Sequence, residues 1–599
     1  MIKNTLSTVI ALAAVAGMLA VISEDTLGAS VSEATGTLLG PNVYVFDPSM
    51  PAADIQRTAT DIFSKMEANQ FGSERYALLF KPGEYNVKFD VGFYTHVAGL
   101  GQNPDDVQIK GGVNVPANWM PNANATCNFW RTLENFAVTP LDSKNITRIA
   151  VSQAAPLRRL HVKGELHLFA FDSKWNAGWA SGGFLADSVV DGKIVPASQQ
   201  QWLSRNSTWG NWGNAVWNMV FVGCENTPEG TFPKPAYTVI DRTPVIREKP
   251  YLCVDKSGNY GVFVPALQTN TKGVTWATGP TPGKSMSLEQ FYVAEPAKAN
   301  AAAINAALAG GKHILFTPGV YSLDEALRVT KPNTILFGLG IPSLVPTKGQ
   351  PVITVADVDG VTIAGLTLEA GAVHSPTILE VGPKGSRADH SANPTFLYDL
   401  TVRTGGAFVG SNDVGITINS RHVVADQLWI WRADHGAGAA WTTNPTKNGL
   451  VVNGDNVTIY GLFNEHHNEY QTLWNGNGGR VYFYQSEIPY DIPDQASWMN
   501  GRVNGYASYK VADTVTTHEA WGLGIYSYFR DAPVKLHSAI EAPAVPGVKL
   551  HNLTTVWLNG KEGSEITHVI NEQGGKVYAN KPSDAMRQTL NEFGGKAGQ

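Results

Sequence analysis

The sequence predicts an all-β fold of two tandem right-handed parallel β-helices with short capping helices. Three observations carry that reading. Short strands recur along the chain at a spacing of about 20–35 residues, joined by loops of unequal length. One ordered string occurs twice: a helix, then Leu-Phe-x-Pro-Gly-x-Tyr, a strand, and Gly-Leu-Gly. Many of the strands also carry a polar or small residue at their centre, as Leu133-Glu134-Asn135-Phe136-Ala137-Val138 does.

The totals agree. A chain of 599 residues exceeds one compact core and implies several domains or an elongated repeat. With 43% hydrophobic and 16% charged residues it is an ordered, well-buried chain. Its 60 Gly and 16 Trp suit many turns and an aromatic binding surface. A net charge of -6 without a long basic run disfavours nucleic acid as the main ligand.

In chain order, Lys3, the apolar run Val9 to Ile22 and the small residues Gly28-Ala29-Ser30 read as a secretory signal peptide over residues 1–29. The run is shorter than the roughly 20 apolar residues a membrane span requires. The expectation is a secreted or periplasmic protein with no membrane association after signal removal. Three cysteines, Cys127, Cys224 and Cys253, show no CxxC or zinc spacing. They leave open one disulfide, Cys224 with Cys253, or three reduced thiols.

The first β-helix domain is placed at residues 30–275. Asn42 to Phe46 is its opening strand, and Ala53 to Glu67 a helix with Ile55, Ile62, Phe63 and Met66 on one face. An amphipathic helix there caps the open end of a solenoid. Leu79-Phe80-Lys81-Pro82-Gly83-Glu84-Tyr85 and Gly99-Leu100-Gly101 follow, then strands around Leu157, Phe184 and Trp217. Turn-rich composition marks a linker at 276–288. The second domain, 289–560, repeats the order with a helix at Ala301 to Leu308, Leu315-Phe316-Thr317-Pro318-Gly319-Val320-Tyr321 and Gly338-Leu339-Gly340. Short strands also suit sandwiches and propellers; the duplicated string and irregular loops favour the β-helix. Residues 561–599 read as a C-terminal tail, with a closing helix at Ser583 to Phe593.

The chemistry concentrates between Gly449 and Phe529, where acids, amides and rings recur between β-branched runs. Rings stack on a pyranose, amides and carboxylates bind its hydroxyls, and a carboxyl protonates a glycosidic oxygen. The candidate general acids are Glu487 and Glu519, with Glu465 third. Glu465, His466, Tyr470, Gln471, Trp474, Tyr490 and Trp521 are the candidate substrate-binding residues. Each has a plainer reading, as a solvated turn acid, a hydrogen-bonded histidine or a packed core ring. His466 and His467 are adjacent on a strand and point to opposite faces, which argues against a shared metal. Asp426, Arg432, Asp434 and His435 form a further polar group that either lines the same cleft or closes a loop.

The paired Pro-Gly-x-Tyr strings resemble the double, pectin lyase-like β-helix of glycoside hydrolase family 55, the exo-acting β-1,3-glucanases. Ala150 to Leu157, Ala180 to Asp187, Glu465 to Gln471, Gln485 to Tyr490 and Gly522 to Phe529 are similar to segments of that family. The chain also resembles secreted bacterial and fungal proteins named for adenylyl cyclase or coagulation factor 5/8, but no nucleotide-binding loop or paired metal-binding carboxylates support the first name. The family resemblance implies inverting hydrolysis, in which a Glu protonates the leaving oxygen and a water is held by a Gln and a Ser. The matching positions are Gln153 and Ser181. They fall in the first domain and the acids in the second, so the site is expected in the cleft between them.

These readings lead to a glycoside hydrolase acting on a β-glucan or another neutral polysaccharide, without cofactor or metal, as a monomer. The alternatives are a polysaccharide lyase on the same fold and a non-catalytic carbohydrate-binding surface protein. A lyase needs cations to neutralise a uronate, and the central stretch is poor in Arg and Lys.

Overall fold

Each coil of this chain pairs its strands in parallel with those of the coil before: Val43 sits beside Ala77 and Ala77 beside His96. The computed structural model describes residues 38–142 and 144–594; the expected signal peptide lies outside them. A first spiral runs from Val43–Phe46 through Arg131–Pro140, Pro156–Val162, Phe184–Ala186 and Gln201–Arg205 to Tyr237–Ile240. A second runs from Phe291–Ala294 through Val424–Arg432, Thr458–Glu465 and Gly479–Glu487 to Val548–Gly560, with a nine-stranded face of its own. The fold is two parallel β-helices.

The duplicated string has a shared structural cause. Tyr85 donates its hydroxyl to the carbonyl oxygens of Phe46 at 3.0 Å and Lys81 at 2.7 Å. Tyr321 does the same to Ala294 at 2.5 Å and Thr317 at 2.9 Å. The Tyr therefore ties the opening strand of each spiral to the strand beside it. The glycine two residues earlier has φ +145° at Gly83 and +153° at Gly319, and a Cβ there would meet Pro48 at 2.7 Å or Pro296 at 2.2 Å. The helices Ala52–Met66 and Ala301–Ala309 cover the first coils with Ile55, Ile62 and Met66, and with Ile304 and Leu308.

The polar residue at the centre of many strands is a corner. Asn135, Arg159, Asp187 and Asn206 in the first spiral, and Asp399, Gln427, Phe483 and Asn552 in the second, all have positive φ. The register jumps over them: Tyr398 pairs with Asp426 and Leu400 with Leu428, leaving Asp399 beside Gln427. One left-handed residue per coil turns the strand from one face to the next, and Asn and Asp tolerate that backbone best. Asn135 donates to Gly99 and Gly101 in a neighbouring coil, whereas Asn552 reaches Thr238 of the other spiral.

The spirals meet along a seam of close backbone approach and buried charge. A Cβ on Gly522 (φ +65°) would stand 2.4 Å from Val220, and Asn218 donates to the Gly522 carbonyl at 2.8 Å. Gly522→Ala is expected to lower the unfolding free energy by about 2–5 kcal/mol, the sum of left-handed strain and overpacking. An earlier midpoint in urea denaturation is the readout.

Three expectations are corrected. Only Ser583–Met586 is helical; Arg587–Gly594 is a strand antiparallel to Val548–Gly560, so it covers the open edge of that strand by ladder bonds. Residues 561–599 are more than a tail, since Glu565–Ile570 continues the nine-stranded face. The 276–288 segment is more than linker, because Gly283–Ser287 pairs with Tyr260–Pro265 in a small antiparallel sheet. All three cysteines are free thiols, and Cys224 and Cys253 each donate to a backbone carbonyl, of Val222 and Gly261.

Candidate active site

Glu465 and Glu487 are the last residues of two adjacent strands, Thr458–Glu465 and Gly479–Glu487. Phe463 pairs with Gln485, and the His466 N–H donates to the Glu487 carbonyl at 2.9 Å. The two side chains therefore leave the sheet on one face, from strands one spacing (~4.8 Å) apart.

Their partners give them different states. Glu465 is 2% exposed and accepts from Gln153 Nε2 at 3.0 Å and from Trp429 Nε1 at 2.8 Å. An indole N–H and an amide NH₂ only donate, so both bonds favour the carboxylate form. Burial nevertheless raises its pKa to about 7. The side chain of Glu487 is 13% exposed and bonds the Tyr490 hydroxyl, with Gln485 Nε2 at 3.3 Å. Burial, and then the charge of Glu465, push its pKa well above the usual carboxylate range. A phenol can accept as well as donate, so Tyr490 accommodates a protonated Glu487. Both carboxyl pKa values are thus raised, and Glu487 is the one whose surroundings favour the protonated form. His466 packs edge-on against Tyr490 at 4.5 Å, with Nε2 3.6 Å from Glu487; burial drops its pKa to about 4, so it stays neutral.

The facing wall belongs to the first spiral. Gln153 sits at φ +33° in the loop before Pro156–Val162, and its backbone carbonyl accepts from Gln427 at 3.3 Å. With Nε2 committed to Glu465, its Oε1 is a buried acceptor with no partner. The Ser181 hydroxyl oxygen accepts from Gln201 at 3.1 Å, which leaves its hydrogen available. All four residues line one cavity of about 390 Å³ with Phe129, Trp179, Trp217 and Trp431. Asp434 and His435 close another side. Although burial opposes it, the 2.8 Å bond to Asp434 raises His435 to about 10, leaving it a cation paired to an anion.

The other predicted residues lie elsewhere. Glu519 begins its strand, paired with Arg480 at the opposite end from Glu487, and bonds His551 at 3.0 Å. Trp521 is sandwiched between Tyr482 and His551 at 4.6 and 5.2 Å. Trp474 is fully buried in the second core, where a Cβ on Gly479 would collide with it. Gln471 is buried and pins a turn through both the N–H and the carbonyl of His467, and Tyr470 accepts from Asn500. The second polar group splits: Asp426 goes to the seam, Arg432 forms a buried bidentate pair with Asp491, and Asp434 and His435 reach the cavity.

Sequence reasoning missed Asn124, Thr126, Cys127, Phe129, Trp179, Gln200, Leu558 and Met586. Trp179 was legible, two residues before Ser181. Leu558 lies near the end of the strand Val548–Gly560 and Met586 ends the short helix Ser583–Met586, and the rest sit in aperiodic loops.

Two parallel β-helices with paired glutamates at their seam, facing an amide and a hydroxyl, define a glycoside hydrolase. Residues 291–487 match the LAM55 pectate lyase-like domain family. The chain is 50% identical over 558 residues to an exo-beta-1,3-glucanase of Streptomyces sp. (strain SirexAA-E / ActE), covering 93% of this chain and 90% of that protein. The solved structure of sacteLam55A from Streptomyces sp. SirexAA-E superposes with a TM-score of 0.88 at 49% identity, over 93% of this chain and 98% of that one. A Glu-to-Ala variant of that enzyme in complex with glucose matches equally well. The chain belongs to the Lam55 family, glycoside hydrolase family 55.

Proposed function

We propose that this protein is an inverting exo-β-1,3-glucanase in which Glu487 is the general acid and Gln153, Ser181 and Glu465 serve the attacking water. The observation that carries this reading is the Gln153–Glu465 bond across the seam, beside a neighbouring carboxyl whose pKa burial raises. Glu487 gives that proton to the glycosidic oxygen as the C–O bond breaks. A water on the opposite face of the sugar forms the new bond to C1 and gives up a proton. Gln153 Oε1 and Ser181 orient that water, and Glu465, to which Gln153 is already bonded, takes up the proton. The β-1,3-glucan substrate and the attack from a chain end are taken from the relative's activity and suit a cavity of this size.

A lyase is disfavoured because the cavity lining holds no Lys or Arg, and its cationic His435 is already paired to Asp434. Export and a monomeric state remain part of the proposal, the first resting on the N-terminal run of residues 1–29. No described helix is long and apolar enough to cross a membrane.

Two measurements test the mechanism. Proton NMR during hydrolysis of a β-1,3-glucan is expected to show the α-anomer of glucose first; the β-anomer first would mean retention and overturn the water-held scheme. Gln153→Ala is expected to lower kcat by about 10²–10³-fold with KM little changed, because it frees the water and leaves Glu487 intact.

A further inference from the structure

A second concave surface lies on the first spiral, beyond the loop that carries Trp179. Its cavity of about 440 Å³ is lined by Phe171 and Trp175 on one side and by Asn114, Asn118 and Arg148 on the other. Trp175 is 72% exposed, and the loop that carries it is fixed by hydrogen bonds. The Asp172 carboxylate accepts the backbone N–H groups of Lys174 and Asn176, both at 2.8 Å, and the Asn176 side chain at 2.9 Å. Rings lead inward from it, with Phe171 at 5.7 Å and then the buried Phe169 at 4.7 Å from Phe171. Trp175 itself has φ +63°, a backbone conformation that an L-residue with a bulky side chain rarely adopts. A strained, rigid loop that keeps an indole in water contributes little to the core. Across the groove, Arg148 Nε is a buried donor with no partner, while its backbone N–H is fixed by Asn114 at 3.0 Å.

We propose that this groove is an accessory carbohydrate-binding site, distinct from the hydrolytic cavity, that holds a stretch of neutral β-glucan by stacking a pyranose on Trp175. The C–H face of the sugar covers the indole. Its hydroxyls meet the amides of Asn114 and Asn118 and the guanidinium of Arg148. The inference rests on the substrate reading above. Its role is to retain a long chain near the pocket, so it acts on polymer and not on short oligosaccharides.

The test is native electrophoresis through gels containing a soluble β-1,3-glucan, with Glu487→Gln as background so that the polymer survives. That protein is expected to be retarded, and adding Trp175→Ala to raise the dissociation constant about 5–20-fold. On the active enzyme, Trp175→Ala is expected to leave kcat/KM for a β-1,3-linked trisaccharide within about twofold, which also reports that the variant folds. Equal retardation with and without Trp175 would overturn the proposal, as would equal retardation in a dextran gel. A matching loss on the trisaccharide would overturn it too, by making Trp175 part of the hydrolytic cavity. Failure of the parent to release glucose from β-1,3-glucan would count against the substrate reading, while the gel still reads the groove.

Discussion

Glu487→Gln is expected to reduce kcat on a β-1,3-glucan by about 10³-fold or more, near the upper end of what a positioned acid supplies, with little change in KM. The amide keeps the shape of the carboxyl and the contacts to Tyr490 and Gln485, but it has no proton to give. The same burial that keeps the proton on Glu487 sets the pH profile. In the proposed mechanism the acid must be protonated, so kcat/KM of the parent falls as pH rises through the elevated pKa of Glu487. Glu465, with a pKa raised to about 7, must instead lose its proton to receive one from water, and supplies the acidic limb. A bell-shaped profile follows. Stability moves with the same groups. A carboxyl whose folded pKa lies above its unfolded value contributes stability that is fully present below the unfolded pKa, about 4.3, and is lost as pH rises through the folded pKa. Glu487→Gln removes that dependence, so the variant and parent should melt together near pH 4 and the variant later near pH 8. Retention of a tenth of the parent's kcat would assign the proton donor elsewhere.

The site was legible in the sequence to the extent that its residues sit at strand ends with a recurring neighbourhood. Glu465 and Glu487 each end a β-branched and aromatic run, and Gln153 and Ser181 lie in short segments that the family resemblance marks. Glu519 has equally suggestive neighbours in His518 and Trp521. In a parallel coil, however, the start and the end of one strand face different surroundings, and composition alone does not separate them. Trp474 and Gln471 were misplaced for a related reason. A ring or an amide suits a core or a turn as well as a subsite, and only the coil register decides between them. The duplicated Tyr string foretold both spirals because one hydroxyl bond pattern, Tyr85 and Tyr321 to paired carbonyls, requires it twice. Polar strand centres were visible, but their role as left-handed corners was not, since Asp399, Arg159 and Phe483 share a backbone angle and no side-chain chemistry.

The seam that aligns Gln153 with Glu465 depends on buried charge, and Asp426→Ala is expected to lower the unfolding free energy by about 3–5 kcal/mol. Asp426 is fully buried on the second spiral and accepts from two arginines of the first, Arg158 Nη1 at 2.6 Å and Arg205 Nε and Nη2, both at 2.9 Å. Arg158 also bonds Asp399, and Arg205 also bonds Glu248. Removing Asp426 leaves two guanidinium groups in a dry interface with one fewer anion between them, and that exposed imbalance, not the lost attraction alone, sets the size of the effect. Although burial opposes it, Arg205 and Arg158 hold the pKa of Asp426 below its ordinary value. Its contribution is therefore present above its unfolded pKa and is lost as pH falls through the lower folded one. The destabilisation by Asp426→Ala should accordingly be full at pH 7 and shrink as the parent is acidified. Activity should fall with it at temperatures where both proteins remain folded, because a shift of one spiral against the other lengthens the Gln153–Glu465 bond before either core loosens. A variant as stable as the parent in urea at pH 7 would mean that the apolar part of the seam, around Phe184, Leu203 and Gly461, aligns the spirals by itself.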